Sequence, residues 1–135
     1  MKLEWAKKWM GSYNPKGLDY VVEQYAVDVK FEDLTLGDKA NGKEELKAAF
    51  KGFLTGPGTG EYAFSVTSYT GNSDGGAAEW TWHAKHSADF LGAKAAGKET
   101  TVRGVSILTF RGGKISSQRD YWDSAALLRQ LGAIK

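Results

Sequence analysis

The sequence predicts an α+β domain: a cone-shaped α+β barrel in which three N-terminal helices pack on a curved, mostly antiparallel sheet, followed by a short C-terminal helix. Three observations predict it. Apolar residues recur at helical spacing as far as Leu54, the pattern beyond "TGPGTG" turns to strand-like runs separated by turn residues, and helical spacing returns only after Asp123. With 135 residues the chain has the size of a single domain, 1–135. A chain of this length buries roughly 65–70% of the surface its unfolded form exposes, so one real core is within reach.

The elements follow in order. Leu3, Ala6, Trp9 and Met10 lie on one face of a first helix, which "SYNPKG" stops. Leu18, Val21, Val22, Tyr25 and Val29 form an i, i+3, i+4, i+7 stripe, so a second helix is expected from a cap near Asp19 toward Val29. After Asp28 the residues alternate, with Phe31, Asp33 and Thr35 on one side of a short strand that "LGDKANG" ends and that joins an edge of the sheet. Asn41 precedes "GKEELKAAFKGFL", where Leu46, Ala49, Phe50, Phe53 and Leu54 share a face of the third helix.

Four strands come next: "EYAFSVTSYT", "GAAEWTWHAKH", "ETTVRGVSILTF" and "KISSQRDYW". Between the last two, "RGG" is short enough for a tight hairpin. Asp123 or Ser124 caps a terminal helix that packs Leu127, Leu128 and Leu131 inward before Gly132 ends it.

Composition removes whole classes of function. Without cysteine there is no disulfide, thiol nucleophile or thiolate metal site. The net charge of +2 is scattered without a basic block, so no nucleic-acid footprint stands out. No apolar run reaches the ~18 residues of a membrane helix, and charges interrupt "MKLEWAKKWMG" where a signal peptide is apolar. A cytoplasmic protein is expected. "GPGTG" lacks the Gly-Lys-Ser/Thr of a phosphate loop and follows a helix rather than a strand. The unusual feature is an aromatic content of 13% with five Trp, enough rings to wall a cavity as well as fill a core.

Strand alternation sorts the candidates. Gln118, Asp120 and Trp122 point one way from the last strand. Val102, Gly104, Ser106, Leu108 and Phe110 share a face of the strand before it, and Ala78, Trp80, Trp82, Ala84 and His86 a face of the middle one. These apolar sets are expected on the concave side. Asp120 then stands among rings, where burial raises a carboxyl pKa and prepares it for proton transfer; the alternative is a carboxyl that only pairs with a buried hydroxyl or indole N–H. Asp33 could divide acid and base roles with it or be a solvated residue beside a turn. His86, at the end of the middle strand, is a catalytic or substrate-binding candidate or a satisfied structural histidine. His83 points the other way, so the two histidines do not share a metal. No metal and no cofactor is expected.

"YVVEQYAVDVKFEDLTLG", "GKEELKAAF", "EWTWHAKHSADFLG" and "VRGVSILTFRGGKISSQRDYWDSAALLRQLG", in that order, resemble the nuclear transport factor 2-like (cystatin-like) superfamily and its SnoaL-like and ketosteroid isomerase-like branch. The resemblance implies the cone-shaped fold. It places Asp33 where isomerases carry their general base, Trp9 and Ser106 at their oxyanion-hole positions, and Asp120 where limonene epoxide hydrolases activate water and SnoaL-type cyclases keep an acid/base aspartate. Trp9 and Ser106 supply one N–H and one hydroxyl, weaker donors than a dienolate requires. The hydrolases' Tyr-x-Asn and Arg-x-Asp are absent.

The expected function is a SnoaL-like protein whose aromatic cavity takes a small, planar or polycyclic organic molecule, with cofactor-free isomerase, cyclase or hydrolase chemistry at Asp120, Asp33 and His86. Trp9, Phe31, Trp80, Trp82, Ser106, Gln118 and Trp122 are the candidate ligand-binding residues. The alternative is a binding or protein-interaction module that kept the fold without the chemistry. The resemblance also implies a homodimer through the convex face, where Thr81, His83, Arg103 and Tyr121 lie.

Overall fold

In a computed structural model, which describes residues 2–55 and 60–134, the chain folds in the order α1 (Leu3–Gly11), α2 (Leu18–Glu23), β1 (Tyr25–Asp33), β2 (Asp38–Asn41), α3 (Lys43–Thr55), β3 (Glu61–Gly71), β4 (Gly75–Lys85), β5 (Glu99–Arg111), β6 (Lys114–Trp122) and α4 (Ser124–Gln130). Residues 56–59 of the "GPGTG" stretch lie outside the described residues. The α+β class and the helical faces are as expected: Ala6, Trp9 and Met10 of α1, Leu46, Phe50 and Leu54 of α3, and Leu127 of α4 are buried. Asp123 caps α4, accepting a hydrogen bond from Ala126 N at 2.9 Å. The β5–β6 hairpin turns on Gly112 and Gly113, both at positive φ (60° and 79°), a backbone that side chains other than glycine resist.

Three expectations need correction. The second helix ends at Glu23, and Tyr25 and Val29 belong to β1. The helical stripe loses because strand pairing buries the same two residues, to 1% and 0% exposure, in a segment whose Val27 and Val29 are stiff at χ1 and suit a pleated surface. The segment "LGDKANG" is not only a turn: Asp38–Asn41 forms β2 and pairs antiparallel with β1. The early strand therefore does not lie at an edge. It runs parallel to β6, between β6 and β2.

The sheet is not a closed barrel. Its order is β2-β1-β6-β5-β4-β3, leaving β2 and β3 as edges. Register shifts interrupt the pairing at Tyr25/Lys30, Val66/Ser68 and Thr109/Phe110, and such irregularities bend strands. The concave side is covered by α1, packed on β3, and by α3, packed on β1 and β2. No described helix is long and apolar enough to cross a membrane.

Candidate active site

Strand register places the polar residues in rows across the concave face. One row runs Asp38, Asp33, Asp120, Ser106, Ala78 and Tyr69, each directly opposite the next on the neighbouring strand. The parallel pairing of β1 with β6 is what sets Asp33 beside Asp120. A second row pairs Trp80 with Gly104 and Gly104 with Trp122. Gly104 is required there because a Cβ would lie 2.4 Å from Cη2 of Trp80.

Between this face and α3 lies a cavity of about 120 Å³. Its wall contains Phe31, Asp33, Trp80, Trp82, Gln118, Asp120 and Trp122 from the sequence-predicted set. It also contains residues that sequence reasoning missed, among them Tyr13, Phe50, Phe53, Phe64 and Phe90. The β1–β2 turn supplies Leu36 and the start of β2 supplies Asp38, both exposed.

Three predicted residues lie outside the lining. Trp9 is fully buried in the core, stacked on Trp5 at 5.2 Å between ring centroids and 8° between planes. Ser106 is fully buried behind Asp120. His86 sits behind the rings of Trp82 and Phe90, its Nε2 2.8 Å from Thr100 Oγ1, and burial holds its pKa below the usual histidine value.

The hydrogen bonds around Asp120 leave little freedom in where its proton goes. An indole N–H can only donate, so Ser106 Oγ accepts from Trp80 Nε1 at 3.0 Å and gives its own proton to Asp120 Oδ1 at 2.6 Å. The Tyr25 hydroxyl donates to Gln118 Oε1 at 2.6 Å, which turns the Gln118 amide so that Nε2 donates to Asp120 Oδ1 at 2.8 Å. Both side-chain donors converge on Oδ1, and Oδ2 accepts none from the described residues. The proton of neutral Asp120 accordingly belongs on Oδ2, the oxygen left for the cavity. Burial pushes the carboxyl up to about 7, opposed by the Ser106 and Gln118 hydrogen bonds and assisted by the charge of Asp33.

Asp33 is held differently. All its partners donate: Thr35 N at 2.9 Å and Leu36 N at 3.0 Å to Oδ1, and Trp122 Nε1 at 3.1 Å to Oδ2. That is the set a carboxylate takes. Tyr13, 8% exposed, lines the same cavity, and its hydroxyl makes no hydrogen bond with the described residues. Burial raises its pKa well above the ordinary value, and the neighbouring Tyr25, Asp120 and Asp33 raise it further. Tyr13 was missed because "SYNPKG" reads only as a helix stop; a tyrosine just past an apolar helix face is the one signal the sequence offered.

The family model for SnoaL-like polyketide cyclases matches residues 4–131. No curated protein matches the chain by sequence. Among solved structures the chain resembles a protein with a ketosteroid isomerase-like fold from Catenulispora acidiphila in complex with trimethylamine, at 19% identity and a TM-score of 0.79, covering 99% of this chain and 96% of that one. It also resembles a proposed SnoaL-like polyketide cyclase from Shewanella putrefaciens, at 17% identity and a TM-score of 0.78 over 97% and 96% of the two chains. TsrD from Streptomyces laurentii matches at 20% identity and a TM-score of 0.73 over 98% and 92%. At these identities the likeness is one of fold.

Proposed function

The chain belongs to the SnoaL-like polyketide cyclase family, and from that premise we propose that its ring-lined cavity is the active site of a cofactor-independent acid/base catalyst, an isomerase, cyclase or hydrolase of a small organic molecule. The observation that carries the reading is Asp120: a carboxyl held near 7, with both donors on Oδ1 and Oδ2 left for a substrate. A group of that pKa is present in both forms at neutral pH, which favours proton transfer in either direction.

As a carboxylate, Asp120 takes a proton from a carbon beside a carbonyl through Oδ2. The electron pair moves to the carbonyl oxygen, where the Tyr13 hydroxyl donates a hydrogen bond, and Asp120 returns the proton at another carbon. Asp33 sets a second carboxyl directly opposite on the next strand. The volume of about 120 Å³ approaches that of an engineered cavity that binds benzene, so a single ring or a compact chain fits better than a polycycle. Trimethylamine, with which the Catenulispora acidiphila protein is in complex, is a molecule of this small size.

The test is proton NMR of an unconjugated cyclohexenone in deuterium oxide. The protein is expected to accelerate α-proton exchange and isomerisation to the conjugated ketone, and Asp120→Asn to abolish both while ligand-induced quenching of Trp fluorescence persists. Unchanged turnover in that variant refutes the assignment. Quenching without any exchange favours the non-catalytic binding module.

A further inference from the structure

The charge of the cavity wall runs against that of the chain. The sequence carries 18 Lys and Arg against 16 Asp and Glu, yet among the described residues the lining holds Asp33, Asp38 and Asp120 and no Lys, Arg or His. The three carboxylates stand in one row, Asp38 opposite Asp33 and Asp33 opposite Asp120. Like charges directly opposite on adjacent strands destabilise a sheet, and a positive ligand relieves that repulsion. Rings surround the row: Trp82 and Trp122 meet at 80° with centroids 5.6 Å apart, and Phe31 and Phe50 at 89° and 5.3 Å. Aromatic faces lining a partly desolvated space attract a cation.

A second observation points to an occupant. The Tyr13 hydroxyl, on a side chain more than nine-tenths buried, is without a partner among the described residues and lines this cavity. A hydroxyl placed there can donate to or accept from a polar atom of whatever occupies the cavity. The rings that surround the carboxylates suit a positive group that carries carbon substituents.

We propose that the cavity takes a compact organic cation, its ammonium head between Asp33 and Asp120, its carbon substituents against Trp82, Trp122 and Phe31, and its polar oxygen at the Tyr13 hydroxyl. This rests on the acid/base reading of the site and names its substrate class. Asp33 is then the anchor for the ammonium, and Asp120 Oδ2 is left for proton transfer. The groups facing Asp120 are Asp33 and Tyr25 of β1, Asp38 of β2 and Tyr13 after α1, none of them positive. Ionising Asp120 therefore adds uncompensated negative charge, and the cation binds more tightly above its titration than below.

The experiment compares choline with its neutral isostere, the dimethylbutanol in which a quaternary carbon replaces nitrogen, by titration calorimetry on the unaltered protein. Choline is expected to bind at least about tenfold more tightly at about pH 8, with a smaller ratio at about pH 6. Asp33→Asn is expected to weaken choline by about tenfold and leave the alcohol unchanged. Equal or tighter binding of the alcohol overturns the proposal, and so does the absence of binding by either compound at millimolar concentration. The cyclohexenone assay scores the acid/base reading separately: exchange without choline preference removes only the cation, and choline preference without exchange removes only the chemistry.

Discussion

Ser106 donates to Asp120 Oδ1 at 2.6 Å and does so because Trp80 Nε1, 3.0 Å away, leaves its oxygen no other orientation. A chain of donors thus begins at a buried indole and ends at the carboxyl that faces the cavity. It explains how a half-buried acid is held in one rotamer while one of its oxygens stays available.

Ser106→Ala removes the donor to Oδ1 and leaves Trp80 Nε1 buried without a partner. The variant is expected to lose about 1–3 kcal/mol of stability, the cost of an unsatisfied buried donor. Because the lost bond favours the charged form, the Asp120 pKa is expected to rise further above 7. Carboxyl carbon NMR across a pH series checks the direction; a lowered pKa contradicts the donor assignment.

Asp120→Asn keeps both acceptor bonds on Oδ1 and removes the titration. In the native protein a carboxyl whose pKa is raised from 3.8 to about 7 binds more protons folded than unfolded, so its stabilising share is complete below 3.8 and lost as pH climbs through 7. Each tenfold change in proton affinity is worth about 1.4 kcal/mol, so relative to the variant the native protein is expected to lose a few kcal/mol between about pH 4 and pH 8. Thermal melts of both proteins at several pH values measure it. Parallel curves refute the burial of Asp120.

Gly104→Ala puts a Cβ 2.4 Å from the Trp80 ring. The ring must move and carry Nε1 away from Ser106. A loss of about 1–3 kcal/mol is expected, the usual cost of overpacking, together with a raised Asp120 pKa. A variant with unchanged melting and Trp fluorescence shows that the ring is free to yield.

Tyr13→Phe deletes a hydroxyl that has no partner among the described residues. Stability is expected to hold within about 1 kcal/mol, while ketone exchange falls about 10²-fold or more through loss of an oxyanion donor. Equal exchange rates in the two proteins remove Tyr13 from the mechanism.

The site was legible on the strands and illegible elsewhere. Gln118, Asp120 and Trp122 could be assigned to one face because side chains alternate along a strand whatever it pairs with. Asp33 could be named, but its place beside Asp120 could not. Its strand reads as an edge, and nothing local distinguishes a strand that will pair in parallel from one that will stay at a border. Trp9 was misleading for a related reason: an aromatic on a helix face suits a core and a cavity wall equally.

Periodicity by itself determined that the segments of α1, α3 and α4 would be helices, and which side of each late strand would turn inward, because those properties depend only on neighbours a few residues away. Tertiary structure alone decided that β1 would run parallel to β6, that three carboxylates would share a row, and that Tyr13 would reach them. The pairing of β1 with β6 joins residues 87 to 90 positions apart, and its energy arises only when loop closure, desolvation and packing are settled together.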